Sequence, residues 1–143
     1  MLIDKILFSD KVPLLLKKNL DALSDRHLLV SGNISNVNTP GYKAHDIDFQ
    51  KQLREVVGAT GDDDLKLRAT SAKHFGPSKE AISSLEPEIF EDEAVARSNG
   101  NNVDIDKEMA KLAENQIMYS AIAQLMTKRG STVRAAISES AAS

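Results

Sequence analysis

The sequence predicts a mainly α-helical protein in which long N- and C-terminal helices pair as a coiled-coil-like hairpin, with a short irregular, partly β segment between them. Three observations carry this reading. Apolar residues recur at alternating intervals of four and three in two separate stretches, Thr39-Pro40-Gly41 stops the first stretch, and the composition between them turns to Gly, Pro, Ser and charge. In domain terms, residues 1–42 and 100–143 form one helical core built from both termini. Residues 43–99 form an insert that is expected to be flexible.

The first residues, Leu2, Ile3, Ile6 and Leu7, follow helical spacing, and Ser9-Asp10 offers an N-cap. Pro13 falls in the first turn of the next helix, where its missing N–H costs nothing. From there Leu16, Leu20, Leu23, His27, Val30, Ile34 and Val37 form a heptad-type seam. A helix from about 11 to 38 would be roughly 40 Å long. His27 reads as an edge histidine within that seam, because no second metal ligand sits three or four residues away. Asn33-Ile34-Ser35 matches a glycosylation sequon, but its place inside a helix argues against use. Proline displaces the residue before it from the α region, and Pro40-Gly41 fits the centre of a type II turn.

In the middle, Asp46-Ile47-Asp48-Phe49 and Leu65-Lys66-Leu67-Arg68-Ala69 alternate as half-buried strands do, although residues 48–57 fit a helix equally well. Asp62-Asp63-Asp64 lacks the Gly and Glu of a calcium loop and reads as a solvated turn. Adjacent positions on an extended chain point in different directions, so His45 beside Asp46 and Asp48 is not read as an acid–base or metal site. Ser98-Asn99-Gly100-Asn101-Asn102 is turn chemistry, and Asp104 then caps a second long helix over about 104–138. Its seam is Ile105, Met109, Leu112, Gln116, Tyr119, Ala123, Met126, Gly130, Val133 and Ile137. Leu15, Leu28, Leu29, Ile117, Ile122 and Leu125 lie off the seams, an apolar excess that argues for packing between molecules.

Composition narrows function further. A net charge of −3 speaks against nucleic-acid binding, and zero cysteines exclude disulfides and thiolate metal sites. No nucleophile–base arrangement, phosphate-cradling glycine loop or zinc motif occurs, so no catalytic, cofactor-binding or metal-ligating residue is expected. No segment reads as a cleavable signal or a membrane span.

The stretch Asn33-Ile34-Ser35-Asn36-Val37-Asn38-Thr39-Pro40-Gly41-Tyr42 resembles the signature of the bacterial flagellar rod/hook axial protein family, with Ser35 where alanine is usual. Asn33, Ile34, Asn36, Thr39, Pro40, Gly41 and Tyr42 are its matching positions. Within that family, Gly100-Asn101-Asn102-Val103-Asp104-Ile105-Asp106-Lys107-Glu108-Met109 and Tyr42-Lys43-Ala44-His45-Asp46-Ile47-Asp48-Phe49 look like the B-type proximal rod subunits. Leu65-Lys66-Leu67-Arg68-Ala69-Thr70 with His74 is similar to their middle segment. A C-type proximal rod or junction subunit is the alternative, and outside the family a soluble helical adaptor or export chaperone.

The resemblance implies a non-enzymatic building block of the basal body rod, on the periplasmic side of the inner membrane. It implies export through the flagellar type III apparatus without a cleaved signal, no cofactor and no direct membrane insertion. Its partners would be further copies of itself and other rod subunits in a helical assembly, the proteins joining rod to membrane ring, and the export apparatus. Leu16, Leu20, Leu23, Val30, Ile34 and Val37 would pack on Ile105, Met109, Leu112, Tyr119 and Met126, within or between subunits. Asn33 and Asn36 would hydrogen-bond to a neighbouring helix or cap backbone near the turn, and simple exposed polarity fits their positions equally well.

Overall fold

The computed structural model describes residues 11–57, 79–92 and 94–140. Among these, helix α1 (Lys11–Ser35) is followed by strand β1 (His45–Ile47) and helix α2 (Phe49–Val57). A short helix α3 (Lys79–Ser83), strand β2 (Ile89–Glu91) and helix α4 (Ile105–Ser140) complete the order. The architecture is the mainly helical one expected, with long helices at both ends and a small β segment between. The 36 residues of α4 extend about 54 Å, against about 38 Å for the 25 residues of α1. Asn33 meets Glu108 and Leu23 meets Asn115, so the two helices run antiparallel.

The caps form where side-chain chemistry predicts them. Asp104 Oδ1 accepts from the N–H groups of Asp106 (3.1 Å) and Lys107 (3.4 Å), opening α4. Asp48 Oδ1 accepts from Lys51 N–H at 3.0 Å, so residues 45–57 supply both a strand and the helix that competes with it in the sequence.

Helix α1 ends at Ser35, three residues before the expected stop. Asn36 N–H is shared between the carbonyls of Gly32 and Asn33, and Val37 N–H bonds Ile34 O, so the chain tightens before proline is reached. Tyr42 N–H then closes the turn onto Thr39 O at 3.3 Å, with Gly41 at φ 74° in the position a type II turn requires. Gly100 (φ 80°) backs directly onto this turn, where a Cβ would lie 3.4 Å from Gly41 Cα.

Strand β1 pairs antiparallel with β2 in the register His45 to Glu91, Asp46 to Phe90 and Ile47 to Ile89. The second strand therefore comes from Ile89–Glu91, a segment the sequence pattern passed over because all three residues are exposed. The predicted strand at 65–69 and the Asp62-Asp63-Asp64 turn lie outside the described residues. Ala22, Ile47 and Phe49 form the apolar centre, with Leu29, Leu53 and Leu85 packed against it. Ile82 on α3 is fully buried, and Lys18 Nζ holds the carbonyl of Leu85 at 2.9 Å, tying the segment after α3 to α1.

Asn101, fully buried, closes the end of α1 from the far side of the chain. Its amide donates to the carbonyls of Asn36 (2.9 Å), Val37 (3.2 Å) and Thr39 (2.8 Å), while its Oδ1 accepts Val103 N–H at 2.7 Å. Replacing it with alanine takes the partner from Val37 O and Val103 N–H and a second bond from Asn36 O and Thr39 O, which keep those from Thr39 N–H and Tyr42 N–H. Asn101→Ala should lower unfolding stability by about 2–4 kcal/mol, measured by urea denaturation, whereas exposed Asn38→Ala should change it by less than about 0.5 kcal/mol.

Candidate functional site

The signature stretch converges on a buried polar clasp between α1, β1 and α4. Asn33 has no solvent exposure. Its amide donates to His45 O and to Glu108 Oε2, both at 2.8 Å, and its Oδ1 accepts from His45 N–H (3.1 Å) and Tyr42 OH (3.2 Å). This one side chain joins the end of α1, the start of β1 and the first turns of α4. The tyrosine ring meets the His45 ring edge-on, with centroids 6.3 Å apart. Asn36 acts locally instead, donating to Gly32 O at 2.9 Å and accepting from Thr39 Oγ1 at 3.1 Å. Thr39, Pro40 and Gly41 are exposed, and Ile34 is half-buried. Ser35, at the departure from the signature, is exposed and bonds Ser31 O at 2.8 Å, which gives its hydroxyl a partner within the helix.

Beyond Asn33 the clasp is ionic. Glu108, 2 % exposed, accepts from Lys111 Nζ at 2.9 Å. The same ammonium reaches Asp92 Oδ2 (3.0 Å) and Asp46 Oδ2 (3.2 Å). Arg26 on α1 grips the two oxygens of Asp46 at 2.7 and 3.2 Å, the paired geometry that favours arginine over lysine. Asn102, also buried, adds backbone ties. Its Oδ1 accepts Ala44 N–H at 2.7 Å and its amide donates to Asp92 O at 2.6 Å.

Burial by itself would raise the Asp46 carboxyl. The Arg26 and Ile47 N–H bonds, with the charges of Arg26 and Lys111, outweigh it and hold the group below the usual carboxylate range. Burial likewise works against the Lys111 ammonium, and the carboxylates of Glu108, Asp92 and Asp46 hold it above the usual lysine range. The hydrogen bond to Asp46 raises Arg26 further.

The seam residues separate into two populations. Leu23 and Val30 are buried, and Leu16, Leu20, Ile34, Val37 and Leu112 are half-buried. Ile105, Met109, Tyr119 and Met126 are exposed, Met109 by 52 %. The stripe of α4 that turns inward is Glu108, Lys111, Asn115, Met118 and Ile122, each one residue before a position of the apolar seam. Asn115 donates to Leu23 O at 2.9 Å across the helix pair. His27, exposed, lines a groove of about 200 Å³ between the helices with Ser24, Asn115 and Tyr119.

Sequence reasoning missed Arg26, Asp46, Glu108, Lys111, Asn101 and Asn102 as a set. The available signal was a second 3-4 periodicity at 108, 111, 115, 118 and 122, hidden because its first three members are polar. Among the described residues no group of three or more His, Asp or Glu side chains is placed to hold a metal ion, and no helix is long and apolar enough to cross a membrane.

Removing one partner from a buried ion cluster strands the others. Asp46→Ala should cost about 3–5 kcal/mol in urea unfolding at neutral pH. A depressed carboxyl contributes stability that is present above its unfolded value and lost as pH falls through the folded one. A raised ammonium contributes up to its unfolded value and loses it only as pH climbs through the folded one. Wild-type stability should therefore stay level from about pH 5 to 9 and fall below about pH 4, with the gap to the Asp46→Ala variant narrowing on the acid side.

No protein-family model matches the chain. The chain is similar to a flagellar basal body rod protein FlgB of Borreliella burgdorferi, 37 % identical over 102 residues that cover 70 % of this chain and 76 % of that one. It is similar to the protein of that name in Yersinia enterocolitica, 34 % identical over 70 % of this chain and 74 % of the relative. The similarity extends to that of Bacillus subtilis, 30 % identical over 83 % of this chain and 87 % of the relative. At these identities and coverages, the chain belongs to the FlgB family of flagellar basal body rod proteins.

Proposed function

We propose that this chain is a non-catalytic structural subunit of the proximal rod, exported through the flagellar type III apparatus and assembled helically with further copies and with other rod subunits. The observation that carries the proposal is the apolar row Ile105, Met109, Tyr119 and Met126, which the chain's own fold leaves exposed. A row of that kind on one helix face belongs against another molecule. Leu16, Leu20, Ile34 and Val37, half-buried along α1, are the surfaces a neighbouring α4 would cover. In this reading residues 1–42 and 100–143 act together as the tube-forming part, and residues 43–99 form its outer part. Proteins joining rod to membrane ring complete the set of partners. The membership in a family of rod proteins supports this role.

The test is genetic and structural together. Deleting the gene from the flagellated source organism should abolish motility and leave basal bodies without a completed rod. Re-expression should restore both. Replacing Met109 and Tyr119 together by glutamate should prevent incorporation into isolated basal bodies, while the purified variant keeps its unfolding stability within about 1 kcal/mol of wild type. Normal motility with both replacements in place would refute the role assigned to the row.

A further inference from the structure

Asn99-Gly100 is the one Asn-Gly pair in the sequence. The pair carries a chemistry of its own, because glycine has no Cβ to keep its backbone nitrogen away from the preceding side chain. The Gly100 nitrogen attacks Asn99 Cγ, and the Cγ–Nδ2 bond breaks. Ammonia leaves with the proton that the Gly100 nitrogen gives up, and a five-membered succinimide remains. Water then opens the ring at either carbonyl. One opening leaves aspartate, the other isoaspartate, in which the main chain runs through Asn99 Cβ.

Asn99 is exposed, so burial does not keep this reaction from starting. The fold acts instead on the peptide plane between the two residues. Its oxygen accepts Gly41 N–H at 3.0 Å, and its nitrogen donates to Arg97 O at 2.8 Å. The side chain is committed as well, since Asn99 Oδ1 accepts Asn101 N–H at 3.1 Å. Arg97 N–H closes the loop onto Asn101 O at 2.7 Å. Bringing the Gly100 nitrogen over Cγ requires the plane to rotate about the Asn99 Cα–C bond, which breaks both of its bonds together. Gly100, at φ 80°, lies against Gly41, where a Cβ would stand 3.4 Å from Gly41 Cα, and this leaves the turn little room to shift.

We propose that Asn99-Gly100 is a site of spontaneous deamidation that the native turn holds closed and that opening of the turn releases. The restraint belongs to the structure that ends α1. Gly41 comes from the signature turn, and the Asn101 side chain ties residues 36, 37 and 39 to the same loop. A chain that reacts while unfolded carries the change into that structure. Aspartate keeps an oxygen for Asn101 N–H. Isoaspartate lengthens the main chain by one carbon, and the carbonyl that Gly41 N–H holds becomes a carboxylate off the main chain. This chemistry does not depend on the rod reading.

The purified full-length chain serves for the test, incubated at one mildly alkaline pH in native buffer and in guanidinium chloride. Peptide mapping follows the amide-to-acid conversion at Asn99, and enzymatic methylation identifies isoaspartate. Conversion should run at least about tenfold faster in the unfolded chain. Asn101→Ala, which frees residues 36, 37 and 39 from the loop, should raise the rate in native buffer at least about threefold. Returned to native buffer, chain carrying isoaspartate should unfold at a lower urea concentration than the Asn99→Asp variant. Equal conversion in native and unfolded chain would overturn the restraint, and no conversion in either would overturn the site. An unchanged native rate in Asn101→Ala, or equal unfolding of the two products, would overturn the link to the end of α1.

Discussion

Everything in the fold leans on the pairing of two buried carboxylates, Glu108 and Asp46, with Asn33, Arg26 and Lys111. An ionised group taken out of water is tolerated only when its partners are complete and well aimed. Here the partners come from α1, from the strand that follows the turn, and from α4, so no two of these segments satisfy the cluster without the third. An apolar helix pair tolerates small shifts along its axis with modest loss. A contact made of directional bonds does not, because a slide of one residue removes every partner together. The Thr39-Pro40-Gly41 turn matters for this reason. It delivers the backbone of His45 to the Asn33 amide and the Asp46 carboxylate to Arg26, and Asn101 fixes the turn from behind.

The parts of this structure that were legible in the sequence are those governed by local chemistry. The two long helices follow from periodicity, Asp104 from its place before the first turn, and the type II turn from Pro40 and Gly41, which the closing Tyr42 bond realises. The role of Asn33 was not legible, since a place beside the seam fits a bond across the helices and plain exposure equally well, and only its partners His45 and Glu108 decide between them. What stayed hidden depends on contacts distant in sequence. Glu108 reads as a dipole-compensating residue of the first turn, and only the arrival of Lys111 and Asn33 reveals it as interior. Asn101 and Asn102 read as turn formers, and their bonds to residues 36–44 and 92 cross some ten to sixty-five positions. Strand β2 carries no buried residue and so had no alternating signal to offer.

The inward stripe of α4 makes the limitation of pattern reading concrete. Counting apolar residues selects Met109, Leu112, Gln116, Tyr119 and Ala123, whereas the residues turned toward the rest of the chain begin with Glu108, Lys111 and Asn115. Both stripes have helical period, and they differ by one residue. Hydrophobicity identifies the face that seeks burial somewhere. It does not say whether the burial occurs inside the molecule or against a neighbour.

That ambiguity has a physical resolution in a molecule built for assembly. A free-standing domain would place its best apolar row inward, because burial at about 25 cal/mol per Å² is the main term favouring its fold. This chain commits the inward face of α4 near the turn to hydrogen bonds and ion pairs that set its shape, and leaves Met109 and Tyr119 outside. Internal bonds that are directional define the angle between helix pair and turn before any neighbour arrives. External surface that is non-directional then supplies association free energy to whichever neighbour presents a matching row. Reversing the two would give a subunit with a stable interior and no defined shape at its contacts. The polar clasp fixes how α1, β1 and α4 meet, and with it the shape that a neighbour would find.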